Sequence, residues 1–323
     1  MSRLVFNGMN IKHLLFGPEI SIFHEFHKPP YGGGNQFLIA LITEFKHRGL
    51  NVGTNTVGKN TKAVLFNSYN FDFNKLQKIN KRFSPKMIHR IAGPMGTYRG
   101  VDNGVDMKIW EINKNLADAT IFQSKYSLNA HIKLGLEFKN PTIIPNSADN
   151  NIFNKQDRIQ KPNGDRKIRL IATAWSDNPK KGGPILSWLD KRLDYSKYDL
   201  TFVGRTKAEF KSAKLIDPVP SEELAKILKQ HDIYIAPSED DPCSNALIEA
   251  LNCGLPALFL KSGGHPEIVK DGGVGFTGTE DLINKLEEIS NNYTFYQDKI
   301  NMPTIEETAE LYLRVFDMYE KNK

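Results

Sequence analysis

Short apolar runs alternate along this chain with segments whose apolar positions recur at helical spacing. ISIFH (20–24) reads as a buried strand. FLIALITEFKHRG (37–49) reads as an amphipathic helix ending at Gly49. NVGTN (51–55), AVLFN (63–67) and KMIHRIAG (86–93) predict three further strands. A helix over 107–119, a strand over 120–124, a helix over 125–136 and a strand over 142–147 follow. The polar stretch 154–167 then breaks the alternation, with one Pro, one Gly and few apolar residues, and reads as a linker. Beyond it the pattern restarts. Strands are predicted over 168–174, 199–204, 233–237 and 256–260. Helices are predicted over 185–193, 221–230 and 245–254, from Glu280, and over 305–319. Strands alternating with helices on both sides of a linker predict an α/β chain of two parallel-sheet, Rossmann-like domains.

Composition narrows the class. At 323 residues, with 40% hydrophobic and 25% charged content, the chain is long enough for two globular domains. No run approaches the 18 or so apolar residues of a membrane span. The start, MSRLVFNGMNIKHLLF, lacks the pattern of a secretory leader, so none is expected. Cys243 and Cys253 are the only cysteines, which fits a reducing cytoplasm, with Cys243 a small buried filler. The net charge of +6 is uneven: residues 1–160 carry 21 Lys and Arg against 11 Asp and Glu, and the remainder carries 22 against 26. A basic N-terminal half points to an anionic acceptor or to peripheral contact with a membrane face. No nucleic-acid recognition motif accompanies it.

The richest segment for chemistry is 232–276. Asp241 follows the strand IYIAP, and Glu249 sits on the helix that begins near Asn245. The first-turn amides of a helix lack intrahelical partners and favour an anion, and Ser244 and Asn245 are good N-cap types. Glu249, one turn in, offers a hydroxyl acceptor. An anion site beside a hydroxyl acceptor suits a sugar phosphate or a nucleotide sugar. Gly32, Gly33, Gly34 and Asn35 form a second candidate phosphate loop between strand and helix. The loop lacks the G-x-G-x-x-G dinucleotide fingerprint.

The 232–276 segment closely resembles the retaining GT-B glycosyltransferases of family four. Their pattern is a Glu, seven residues, a second Glu, Gly-x-Pro, then GG-x-P-E-I-V. Here Glu249, Gly254, Pro256, Gly263, Gly264, Pro266, Glu267 and Ile268 fill it, with Asp241 in place of the first Glu. The resemblance implies two Rossmann-like domains facing a cleft, over 1–160 and 161–303, with the final segment 304–323 crossing back onto the first. It implies transfer of a sugar from a UDP- or GDP-type donor to a glycan, glycoconjugate or lipid-linked acceptor, with no metal or other cofactor.

It also distributes roles. Lys181 and the Gly32–Gly34 loop with Asn35 would hold the diphosphate, together with the amides near Ser244, Asn245 and Ala246. Glu249 would hold ribose and Asp241 sugar hydroxyls. FVGRT and IDPVPSEEL, through Gly204, Arg205 and Val219, would wall the nucleoside. His89 would face the sugar across the cleft, with Arg90 and Arg99 as further phosphate or acceptor contacts. PNSADNNIF (145–153) resembles the segment that shapes the interdomain hinge. Three departures stand out: Ser176 replaces an Arg of the diphosphate clamp, Ala92 stands where an acid is expected, and Asp241 is one methylene short. Lys180, Arg205 or Lys207 could compensate for Ser176. The departures keep a non-catalytic nucleotide-sugar binder in view, and the fold also admits an epimerase.

Overall fold

The computed structural model describes residues 16–27, 32–101, 103–160, 162 and 164–319. The reading of residues 1–15, the KPPY start of the glycine segment (28–31), Asp102 and linker positions 161 and 163 lie outside the described residues.

Two six-stranded sheets carry the chain, and every strand pair is parallel. The first holds β1 (Ile20–Phe23), β2 (Val52–Thr54), β3 (Ala63–Asn67), β4 (Lys86–Ile91), β5 (Ala119–Phe122) and β6 (Pro141–Ile143), in the order β2-β1-β3-β4-β5-β6. The second holds β7 (Ile168–Ala174), β8 (Tyr198–Gly204), β9 (Lys214–Ile216), β10 (Ile233–Ala236), β11 (Ala257–Leu260) and β12 (Gly273–Phe276), in the order β12-β11-β10-β7-β8-β9. The central strands are buried along their length, as in β1, β3, β10 and β11. Burial on both faces is why they read as near-continuous apolar runs.

Strand order reverses between β1 and β3 in the first sheet and between β7 and β10 in the second. In doubly wound sheets the loops leaving the strands diverge at such points and open a ligand crevice at the carboxyl ends. The glycine segment follows β1, Ser176 and Lys181 follow β7, and Asp241 follows β10.

Some elements escaped the periodicity. Helix Phe73–Phe83 fully buries only Leu76, with Phe73 and Ile79 packed beside it in an apolar stripe that the sequence reading misses. β9 is three residues long and β12 is half glycine. Helices Met95–Arg99, His265–Val269 and Tyr293–Asp298 are too short to display a period. The helix expected from Phe37 begins at Gly33, so two of the three glycines form its first turn.

The last helix, Ile305–Val315, starts from a capping box made by Thr304 and Glu307. It lies on helix Gly33–His47 of the first domain. Ile305, Ala309, Tyr312 and Phe316 share a core with Phe37, Leu38, Leu41 and Phe45. Phe37 and Tyr312 have ring centroids 6.0 Å apart, and Phe45 and Phe316 5.9 Å.

That docking is tied to Arg90, which is 1% exposed. Its guanidinium donates to Asn67 Oδ1 and Asn146 Oδ1 at 2.6 Å each and to Tyr312 Oη at 3.1 Å, and lies 4.7 Å from the Phe37 ring centroid. The Gln123 carboxamide oxygen, turned toward it, accepts from both terminal nitrogens at 3.2 Å. Arg90→Leu strips donors from several buried oxygens and is expected to cost about 3 kcal/mol. Tyr312→Phe, which removes one bond, is expected to cost about 1 kcal/mol. Thermal midpoints of parent and variants check this, and an Arg90→Leu midpoint equal to the parent's would refute the role.

Candidate active site in the interdomain cleft

A cleft of about 1080 Å³ opens between the carboxyl ends of the two sheets. All of the anticipated site residues except His89 and Asn35 border it. The sequence spreads them from Gly32 to Glu249, and the two switch points bring them together.

On the C-terminal side, helix Asn245–Asn252 points its start into the cleft. Ser244 caps it, its Oγ accepting from Leu247 N at 3.4 Å. The residues around that start, Ser244 to Ala246, line the space. Lys181 enters from the short turn Pro179–Lys181, which is braced by nested side-chain bonds. Ser176 Oγ accepts from Asn178 N at 3.2 Å, and Asn178 Oδ1 from Lys180 N at 2.9 Å. Ser176 thus shapes the loop that aims Lys181.

Lys181 Nζ lies 2.8 Å from Asp241 Oδ2, and Cys243 N donates to Asp241 Oδ1 at 3.2 Å. Burial works to raise the Asp241 carboxyl, but Lys181, His265 and the Cys243 amide outweigh it and hold the group below its ordinary value. The site therefore presents a pre-formed cation and carboxylate pair. Glu249 is different. Burial alone pushes its carboxyl up to about 8. Tyr234 stands nearby, its hydroxyl 3.0 Å from Thr173 Oγ1. Tyr234 and Trp175 both line the cleft and were missed, because each reads as an ordinary aromatic at a strand position.

The N-terminal side begins with Gly32, Gly33 and Gly34, whose amides end helix Gly33–His47 at the cleft. A Cβ on Gly33 would meet Asn245 Nδ2 at 2.5 Å, so the close approach of the two domains requires glycine there. Asn35 turns away. Its side chain accepts from His27 N at 3.1 Å and donates to His27 O at 3.0 Å, closing the segment rather than meeting a ligand.

His89 also falls outside the cleft. On β4 it faces the opposite side from Arg90, fully buried, stacked 4.4 Å from the Phe66 ring and 2.8 Å from Ser68 O. Desolvation lowers its pKa to about 3, so it is a neutral core histidine. Strand alternation explains the correction: the cleft-facing position on β4 belongs to Arg90. Among the described residues, no group of three or more His, Cys, Asp or Glu is placed to hold a metal.

A seam beside the cleft fixes how the domains meet. The Glu267 carboxylate accepts from Lys125 N at 2.8 Å and Tyr126 N at 2.7 Å, capping helix Lys125–Lys133 across the gap. Tyr126 Oη donates to Asp240 Oδ1 at 2.8 Å. Lys180 Nζ reaches Asp240 Oδ2 at 2.8 Å and Thr97 O at 2.7 Å. At the cleft base Asn146 Nδ2 donates to Asn245 Oδ1 at 2.9 Å. These roles of Glu267, Tyr126 and Asn146 leave no sequence signal, because each depends on a residue of the other domain.

Residues 192–301 match the family model described as Glycosyl transferases group 1. That match spans most of the second sheet's domain, from the end of its first helix onward. Glycogen synthase of Francisella tularensis subsp. novicida is 24% identical over 222 residues, spanning 65% of this chain and 44% of that protein. The two domains together have the GT-B architecture. Sucrose-phosphate synthase from Thermosynechococcus elongatus has a similar fold, with TM-score 0.72 and 14% identity over 93% of this chain and 99% of that one. Anabaena HepE in complex with UDP and glucose has TM-score 0.70 and 13% identity, covering 94% and 100%. The catalytic domain of Arabidopsis thaliana starch synthase IV, bound to ADP and acarbose, has TM-score 0.71 and 10% identity, covering 93% and 99%. The cleft stands at the junction of the two sheets.

The Glu249 shift yields a test. Its folded-state pKa, about 8, lies above the ordinary 4.5. Stability tied to the neutral carboxyl is complete below the unfolded value and lost as pH rises through the folded one. Glu249→Gln, which stays neutral, is expected to match the parent's thermal midpoint near pH 5 and to exceed it at pH 9. A midpoint difference that does not change with pH would show the carboxylate to be well solvated.

Proposed function

We propose that this chain is a retaining glycosyltransferase that moves a sugar from a nucleoside diphosphate, of UDP or GDP type, to a hydroxyl of a glycan, glycoconjugate or lipid-linked acceptor. The observation that carries the reading is the meeting, in one cleft at two switch points, of the start of helix Asn245–Asn252, Lys181 and Glu249. Support comes from fold neighbours whose structures hold UDP with glucose or ADP with acarbose.

In this reading the donor diphosphate lies against the amides at Ser244–Ala246 and the Gly32–Gly34 turn. Glu249 accepts from ribose hydroxyls, with Gly204 and Val219 walling the nucleoside. Asp241 accepts from sugar hydroxyls while Lys181 turns from it toward the diphosphate. The bond between the anomeric carbon and the phosphate oxygen breaks, and its electron pair stays on that oxygen. Lys181 stabilises the growing charge. The acceptor oxygen bonds to the same carbon from the same face, and its proton passes to the departing phosphate. Displacement by two carboxylates would need one on the sugar's far side. Among the described residues, the N-terminal wall of the cleft carries none.

A thermal-shift panel of nucleoside diphosphates, followed by slow donor hydrolysis, tests this. A ligand at 100 times its dissociation constant adds about 2.7 kcal/mol. Parent protein is expected to release free nucleoside diphosphate from one donor. Lys181→Ala should lower that turnover more than donor affinity, because its charge matters most as the bond breaks. Binding without hydrolysis would make the chain a nucleotide-sugar binder, with Ser176, Ala92 and Asp241 as the departures responsible.

The reading includes work at the cytoplasmic face of a membrane. No helix among the described residues is long and apolar enough to cross one. Helix Phe73–Phe83 instead presents Lys75, Lys78, Lys81 and Arg82 while burying only Leu76. Attraction to anionic lipid is screened over about 8 Å at physiological salt. Sedimentation with anionic vesicles should therefore appear at low salt, fade as salt rises, and weaken when the four cations are neutralised together. Equal sedimentation with neutral lipid would point to a soluble acceptor.

A further inference from the structure

We propose that Arg205 serves the donor diphosphate as an unneutralised cation beside Ser176, rather than serving the nucleoside wall. This rests on the donor reading above.

The cleft's basic groups are nearly all committed. Lys181 is paired with Asp241 at 2.8 Å, and Lys207 with Asp177 at 3.1 Å. Lys180 is held in the seam by Asp240 at 2.8 Å. Arg90 is buried among amide and phenol oxygens. Arg99 and Arg205 are both exposed, border the cleft and form no ion pair among the described residues, but Arg99 lies over the Tyr98 ring on the opposite wall, whereas Arg205 stands beside Ser176 and Lys181.

Its position is built rather than incidental. β7 and β8 run side by side in register, with Ala174 opposite Gly204. Arg205 N donates to Ala174 O at 2.9 Å. The backbones come so close here that a Cβ on Gly204, at φ +132°, would meet Ala174 O at 1.9 Å. Arg205 is thereby set beside Trp175, and its guanidinium lies 4.5 Å from that ring's centroid. Ser176 comes next, its short side chain occupied with Asn178. A smaller cavity of about 190 Å³ is bordered by Ser176, Lys181 and Arg205 together. A planar guanidinium held on an indole keeps its outer edge free, and that edge can take two phosphate oxygens at once. Lys181 must leave Asp241 to serve a diphosphate, whereas Arg205 abandons no carboxylate.

Titration calorimetry of UDP, uridine, GDP and guanosine with parent, Arg205→Ala and Arg205→Ala/Ser176→Arg decides the matter. Arg205→Ala is expected to bind the preferred diphosphate roughly ten- to hundredfold more weakly, with nucleoside affinity within about twofold of the parent's. The double variant, which restores a cation from the neighbouring strand, should recover most of the loss. A parent-like thermal midpoint for Arg205→Ala excludes unfolding as the cause. Unchanged diphosphate affinity overturns the assignment. So does an equal loss for diphosphate and nucleoside, which would return Arg205 to the nucleoside wall. A parent that binds no nucleoside diphosphate overturns the donor reading, and this inference with it.

Discussion

A buried guanidinium that meets no counter-ion among the described residues sets the terms for the rest of this molecule. Arg90 leaves the end of β4 and is almost sealed from solvent. A charge in such a place is tolerable only if its donors are met. The acceptors come from four separate stretches: Asn67 ending β3, Gln123 after β5, Asn146 in the hinge segment and Tyr312 on the returning helix. Satisfying one side chain therefore fixes the floor of the cleft, the path of the hinge and the docking of the chain's last helix. Through Asn146 the same network reaches Asn245, at the helix start proposed to hold the donor.

Above that floor, adjacent residues of like charge do different work. Lys180 and Lys181 are neighbours, as are Asp240 and Asp241, and they pair in register at 2.8 Å each. The 180–240 pair looks outward, where Tyr126 and Thr97 join it to the other domain. The 181–241 pair looks into the cleft. The loop carrying the proposed diphosphate lysine is thus anchored to the opposite domain by the residue just before it.

The anticipated site was legible where chemistry is written into contiguous sequence. Asp241, Ser244, Asn245 and Glu249 fall in one strand, loop and helix unit, and local rules of capping and helix-end electrostatics placed them correctly in the cleft. Lys181 was legible only through the Lys-Gly resemblance, in the turn Pro179–Lys181 that follows β7. His89 and Asn35 were misplaced because their orientation is not local. His89 is one residue from the cleft-facing position on its strand, and a one-residue offset reverses the face. Asn35 was drawn back by His27, eight residues away.

Hydrophobic periodicity and turn chemistry by themselves determined the α/β class and most of the strands and helices, since each expresses its burial within a dozen residues. β12 failed that test, because two glycines in four residues carry no period. Only the tertiary structure decided which residues share the cleft, that Arg90 rather than His89 points into it, and that Glu267 caps a helix of the opposite domain. It also decided that Arg205 rests on Trp175 beside Ser176. The reason is common to all four. Strand order, strand face and domain contact are set by long-range packing, and the energy of those contacts belongs to pairs of residues far apart in the chain.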